Sequence, residues 1–89
     1  MNMTAQPPIT ETLEGIIRRF APKDRGDLRF TATTHLVNEA GIDSPRMIDI
    51  VLEVEDRFGI VVDDATVQKV RTFGELVAMV DAQTAAGAD

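Results

Sequence analysis

The sequence has no cysteine, no tryptophan and no tyrosine, and it has one histidine. Without cysteine there is no disulfide, no thiolate nucleophile and no cysteine-ligated zinc. A lone histidine, His35, cannot build a histidine-rich metal site, and it sits in a loop with no serine or cysteine partner evident for nucleophilic catalysis. Four phenylalanines are the only aromatics, so the core must be mostly aliphatic. No apolar run approaches the roughly 20 residues that span a bilayer. The opening "MNMTAQPP" lacks the basic and apolar regions of a secretory signal, and a cytoplasmic location is expected. Positive charge is scarce: nine Lys and Arg against fifteen Asp and Glu give a net charge of −6. That balance argues against nucleic acid, whose phosphates need a basic face, and favours partners with basic patches. Arg18, Arg19, Lys23, Arg25 and Arg29 form a loose basic stretch without aromatic interleaving, which reads as a solvated face. Calcium-loop and glycine-rich phosphate-loop spacings are missing too.

What remains is an ordinary globular composition, 44% hydrophobic and 27% charged, in 89 residues. That length holds one domain with one modest core. The acidity is uneven. Residues 1–30 carry five bases and four acids, whereas residues 31–89 carry eleven acids and four bases.

Residues 1–8 read as a flexible lead closed by Pro7 and Pro8. Ile9, Leu13, Ile16, Ile17 and Phe20 then recur at helical spacing, with Thr10 as a candidate N-cap and Pro22 as the stop. Residues 21–40 are irregular, a charged turn followed by a short turn near Leu36 and Val37. So long a loop in a small domain points to an ordered crossover. Residues 41–60 hold a second helix, with Ser44 suited to N-cap, Pro45 to N1 and Gly59 to C′. Met47, Ile50, Val51, Val54 and Phe58 form its core stripe. Ile60, Val61 and Val62 have no strand to pair with and read as an extended connection. Asp63 or Asp64 can cap a short helix running toward Val67 and Val70. Thr72 and Glu75 match a capping box for a last helix with Phe73, Leu76, Val77 and Val80 on one stripe. The expected fold is all-α, three main helices plus one short one, with a long ordered loop between helices 1 and 2. The domain is expected over residues 9–82, with a frayed tail over 83–89.

Two features are left over. Ile48 and Leu52, four apart, lie beside the core stripe with Asp49, Glu53, Glu55 and Asp56 around them. They fit either a wide core stripe or an apolar docking ridge with acidic flanks. Ser44, after Gly41 and Asp43, fits either a plain helix cap or a serine that carries something.

The spacing of Gly41, Asp43 and Ser44, then Ile50, Val51, Val54, Glu55 and Phe58, resembles the acyl carrier protein family, including peptidyl carrier domains. Ile60, Val62, Asp64, Val70, Thr72 and Val80 extend the match, ungapped over residues 41–80. The resemblance implies a bundle that is not an enzyme. Ser44 would bear 4′-phosphopantetheine, transferred from coenzyme A, with Asp43 flanking it. The cofactor's thiol would hold acyl or aminoacyl groups as thioesters, which suits a chain lacking thiols. Ile48, Asp49, Leu52, Glu55 and Asp56 would meet partners, with Asp43 adding to the charge that basic side chains read. Those partners would be a phosphopantetheinyl transferase, loading ligases or synthases, and acyl-transfer enzymes with basic docking patches. A monomer is expected. Ile50, Val54, Ile60, Val70 and Leu76 would line any space for a short acyl chain. Pro45 stands where the family usually has leucine and Arg46 where fatty-acid carriers usually have an acid, which implies a dedicated fatty-acid, polyketide or secondary-metabolite pathway. The alternative from another class is a helical interaction module in which Ser44 is only a cap.

Overall fold

The structure, a computed structural model, describes residues 8–86. Four α-helices follow one another: α1 over Ile9–Phe20, α2 over Ser44–Phe58, α3 over Asp64–Lys69 and α4 over Phe73–Ala86. A 3-10 turn over Lys23–Arg25 breaks the crossover between α1 and α2. The expected all-α bundle of three long helices and one short helix is what the chain forms.

Each long helix buries most of the stripe its spacing sets; Val51, expected in the α2 stripe, lies outside the core and borders a hollow between α2 and α3. Leu13, Ile16 and Ile17 of α1, Ile50 and Val54 of α2, and Phe73, Leu76 and Val80 of α4 meet in one aliphatic core. Leu36, Ala40 and Ile42 from the crossover complete it. Met47, Phe58, Ile60 and Val70 pack partly buried at its edge. Phe30 meets Phe73 edge to face, with ring centroids 5.2 Å apart.

One helix start differs here from the sequence expectation, and other ends match it. Pro8, not Thr10, is the N-cap residue of α1, and no side chain caps that end. Proline fixes the entry angle there and lacks an N–H that would need a partner. Asp63 caps α3 through the Thr66 N–H. Gly59 ends α2 in the left-handed conformation, φ 67°. The Thr72–Glu75 capping box forms in both directions. The Glu75 N–H donates to Thr72 Oγ1 at 3.2 Å, and the Thr72 N–H donates to Glu75 Oε1 at 3.0 Å. α4 then continues to Ala86, past residue 82. Residues 1–7 and 87–89, expected as lead and tail, lie outside the described residues.

The crossover is held by long-range backbone bonds. Gly74 N–H donates to Ala32 O at 2.8 Å, Phe73 N–H to Thr34 O at 2.8 Å, and Leu36 N–H to Arg71 O at 2.9 Å. Two arginines brace it further. Arg18 stacks over Phe30 and donates to the carbonyls of Gly26 and Leu28. Arg25 donates to Glu39 O. These members of the basic stretch are therefore struts, not idle solvated charge.

Candidate functional site

The chain reaches Ser44 through a tight turn. Ala40 N–H donates to His35 O, Gly41 N–H to Val37 O, and Ile42 N–H to Leu36 O. Ala40 and Ile42 are completely buried and fasten both sides of Gly41. Gly41 itself has φ 74°, and a Cβ there would lie 3.1 Å from the Pro22 ring. Glycine meets both the conformation and the close approach. The next residues, Asp43 and Ser44, are thereby placed at a fixed point on the surface.

Ser44 is not the N-cap. Asp43 takes that place, and its Oδ1 accepts from the Arg46 N–H at 3.0 Å. Its Oδ2 accepts from Arg46 Nη1 at 3.1 Å. Both residues are good caps by type. The charged carboxylate wins because it also complements the helix dipole and draws in the guanidinium. Ser44 becomes the first helical residue and Pro45 the second, one step inside the expected positions. The Ser44 side chain is exposed and makes no hydrogen bond among the described residues. A serine with no structural task is available for chemistry.

Beyond it, α2 presents Ile48 and Leu52 to solvent, 61% and 58% exposed. They are not part of a wide core stripe. Asp49 and Asp56 flank them, also exposed. Two other acids are occupied. Glu53 pairs with Arg19 and Arg57 at 3.5 and 3.6 Å. Glu55 Oε2 accepts from the Val62 N–H at 2.8 Å and ties the α2–α3 connection down. Sequence spacing places Glu55 beside Asp56 but gives no sign of that backbone partner.

An open groove of about 460 Å³ begins at Ser44, lined chiefly by Val37, Ile42, Met47, Ile48, Val67 and Val70. A smaller hollow of about 210 Å³ continues between α2 and α3, beside Leu52 and Val62. Of the lining residues expected from sequence, only Val70 borders the groove at Ser44. Ile50, Val54 and Leu76 are central core. The wall comes instead from the crossover and from α3, whose six residues are too few to show a helical stripe.

Two carboxyls near these elements are perturbed. Asp63 is held below the usual aspartate range by the Thr66 hydroxyl and N–H donating to it. Glu75 is held low by the backbone N–H groups of Arg71 and Thr72. Both are structural caps. Among the described residues, no helix is long and apolar enough to cross a membrane.

An exposed serine at a helix start, next to an apolar groove, suits a covalently attached arm that folds back or swings out. Known proteins share the sequence pattern and the fold. The family described as the phosphopantetheine attachment site matches residues 11–80. An acyl carrier protein of Thermotoga maritima is 29% identical over 79 residues, 89% of this chain and 95% of that one. One from Rhodococcus erythropolis is 34% identical over 59 residues, 66% of this chain and 65% of that one. A solved Mycobacterium tuberculosis structure assigned as an acyl carrier protein superposes with a TM-score of 0.74 at 28% identity, covering 83% of this chain and 96% of that one. The fold is shared as well by the Thermotoga maritima acyl carrier protein, with a TM-score of 0.69 at 22% identity, over 96% of this chain and all of that one. With the family match spanning most of its length, the chain belongs to the acyl carrier protein family, non-catalytic proteins that carry acyl groups on phosphopantetheine.

Proposed function

We propose that Ser44 is the residue that bears the phosphopantetheine, and that the protein is a cytoplasmic, monomeric carrier serving a dedicated fatty-acid, polyketide or related secondary-metabolite pathway. The observation that carries this is the division of labour at the start of α2. Asp43 does the capping, which leaves the Ser44 hydroxyl exposed and unbonded beside an apolar groove. In the attachment step Ser44 Oγ gives up its proton and forms an ester bond to the phosphorus nearer the pantetheine in coenzyme A. The pyrophosphate P–O bond breaks and adenosine 3′,5′-bisphosphate leaves. The arm then supplies the thiol that this cysteine-free chain lacks.

Partner enzymes dock on α2. Ile48 and Leu52 supply apolar contact, and Asp49 and Asp56 meet basic side chains and speed the encounter. Glu55 joins the acidic face at its edge while holding Val62. A phosphopantetheinyl transferase, a loading enzyme and acyl-transfer enzymes are the partner classes. Arg46 and Pro45 at the modification site favour enzymes of the chain's own pathway.

The test is intact mass after incubation with coenzyme A, magnesium and a phosphopantetheinyl transferase from the same organism. Wild type should gain one phosphopantetheine and Ser44→Ala none. Equal gain on both proteins would move the attachment point elsewhere. No gain on either would return Ser44 to a surface serine.

A further inference from the structure

We propose that Arg46 is the counter-ion of the phosphodiester carried on Ser44, a positioning residue for the root of the arm. This rests on the attachment reading above. The N-terminus of an α-helix usually receives a phosphate on its free N–H groups. At α2 those donors are nearly used up. Pro45, the second helical residue, has no N–H. The Arg46 N–H is taken by Asp43 Oδ1. The Met47 N–H donates to the Asp43 carbonyl at 2.8 Å. Among the described residues the Asp43 and Ser44 N–H groups, neither of them bonded, are what is left for an anion at this helix start. Asp43 meanwhile puts a fixed carboxylate on the residue next to the attachment oxygen.

A phosphodiester placed there would face a neighbouring negative charge with fewer backbone donors than a helix start ordinarily offers. Arg46 answers that deficit. Its guanidinium already lies over this helix end, 3.1 Å from Asp43 Oδ2, and is 43% exposed. A guanidinium carries five N–H donors in a rigid fork, and one of them is used on Asp43. The rest are available to a second anion while the first bond holds. Its charge also has the wrong sign for its place in the helix. A cation in the first turn opposes the dipole, and α2 has no acid in its first turn. A residue that breaks a local rule beside the modified atom marks a functional constraint. In the unmodified chain Asp43 satisfies Arg46. In the modified chain Arg46 sits between two anions and cancels their repulsion.

The test compares unmodified and phosphopantetheine-bearing full chains of wild type, Arg46→Gln and Arg46→Lys, with attachment verified by intact mass. Melting temperatures are measured at 0.1 M and 1 M NaCl. The change in Tm on modification should fall by about 3 °C in Arg46→Gln at low salt. It should recover largely in Arg46→Lys. It should shrink at 1 M, where the screening length drops from about 10 Å to about 3 Å. The phosphorus NMR resonance of the diester should shift in Arg46→Gln and stay put in Lys69→Gln, a cation change on another helix. Equal Tm changes in all three proteins with an unmoved resonance would overturn the proposal while leaving attachment standing. A wild-type chain that gains no mass with its own transferase would bring down the attachment reading and this inference together.

Discussion

Two glycines inside helices should respond in opposite directions to the same substitution. Gly15 lies in the middle of α1, where an added Cβ meets nothing within 4 Å. Alanine there restricts the unfolded chain and favours helix, so Gly15→Ala should stabilise by about 0.5–1 kcal/mol. Gly74 lies in the first turn of α4 against the crossover. A Cβ there would stand 2.7 Å from Ala32 O and 3.0 Å from Ala32 Cβ. Those are mostly backbone atoms and cannot swing aside. Separating the strands of chain stretches the Gly74 N–H to Ala32 O bond and strains the adjacent Phe73 N–H to Thr34 O bond, both 2.8 Å. Weakening two such bonds at about 1 kcal/mol each, plus about 1 kcal/mol of overpacking and less the helix gain, leaves Gly74→Ala destabilised by about 2 kcal/mol. Against a total stability of order 5 kcal/mol, the urea midpoint should fall by about a third or more. With no tryptophan or tyrosine to report, far-UV circular dichroism is the probe. A Gly74→Ala variant within 0.5 kcal/mol of wild type would mean that the crossover is not clamped at this point.

Ser44→Ala should leave stability within about 0.5 kcal/mol of wild type, whereas Asp43→Ala should cost about 1 kcal/mol by removing the α2 cap; paired urea titrations separate the two. A larger loss in the serine variant would return the capping role to Ser44. Leu52→Ala should be near neutral for folding yet lower kcat/KM for the transferase, because Leu52 is exposed on the proposed docking face. Asp49→Asn with Asp56→Asn should slow the same reaction at low salt and matter little at 1 M. Glu75 has a folded-state pKa held below the ordinary 4.5. Its contribution is thus present above that pH and lost as pH falls through the lower folded value. Glu75→Gln should therefore be less stable than wild type at pH 7, with the gap closing below pH 4.5 in melts taken along a pH series. A gap of constant size would assign the effect to packing.

Much of the bundle can be read from local signals. Thr72 with Glu75, and Gly59 after Phe58, mark helix ends through bonds made within a few residues, and those ends stand where the signals put them. The apolar periods of α1, α2 and α4 name the core correctly except at Val51, which borders the hollow between α2 and α3 instead. The errors have physical causes. Asp43 and Ser44 are both competent caps, and proline is accepted in either of the first two helical places. Sequence alone therefore leaves the start of α2 uncertain by one residue, the very residue on which the site turns. The crossover is fixed by backbone partners some forty residues away, such as Thr34 with Phe73, which no periodicity reports. Glu55 looks like its acidic neighbours until Val62 is seen to donate to it. Sequence points to core residues for the groove at Ser44 because Val67 and Val37, which line it, lie on pieces too short to show a pattern.

α3 buries none of its residues. It is held by a cap at Asp63, by Val70 at its exit and by the bond from Val62 to Glu55. The three long helices share a common interior, so they melt together; this fourth piece is fastened only at its hinges. Its amide hydrogens should exchange with solvent well before those of α1, α2 and α4, at a free energy far below that of global unfolding. One wall of the groove beside Ser44 can then lift away and return many times for each time the bundle comes apart.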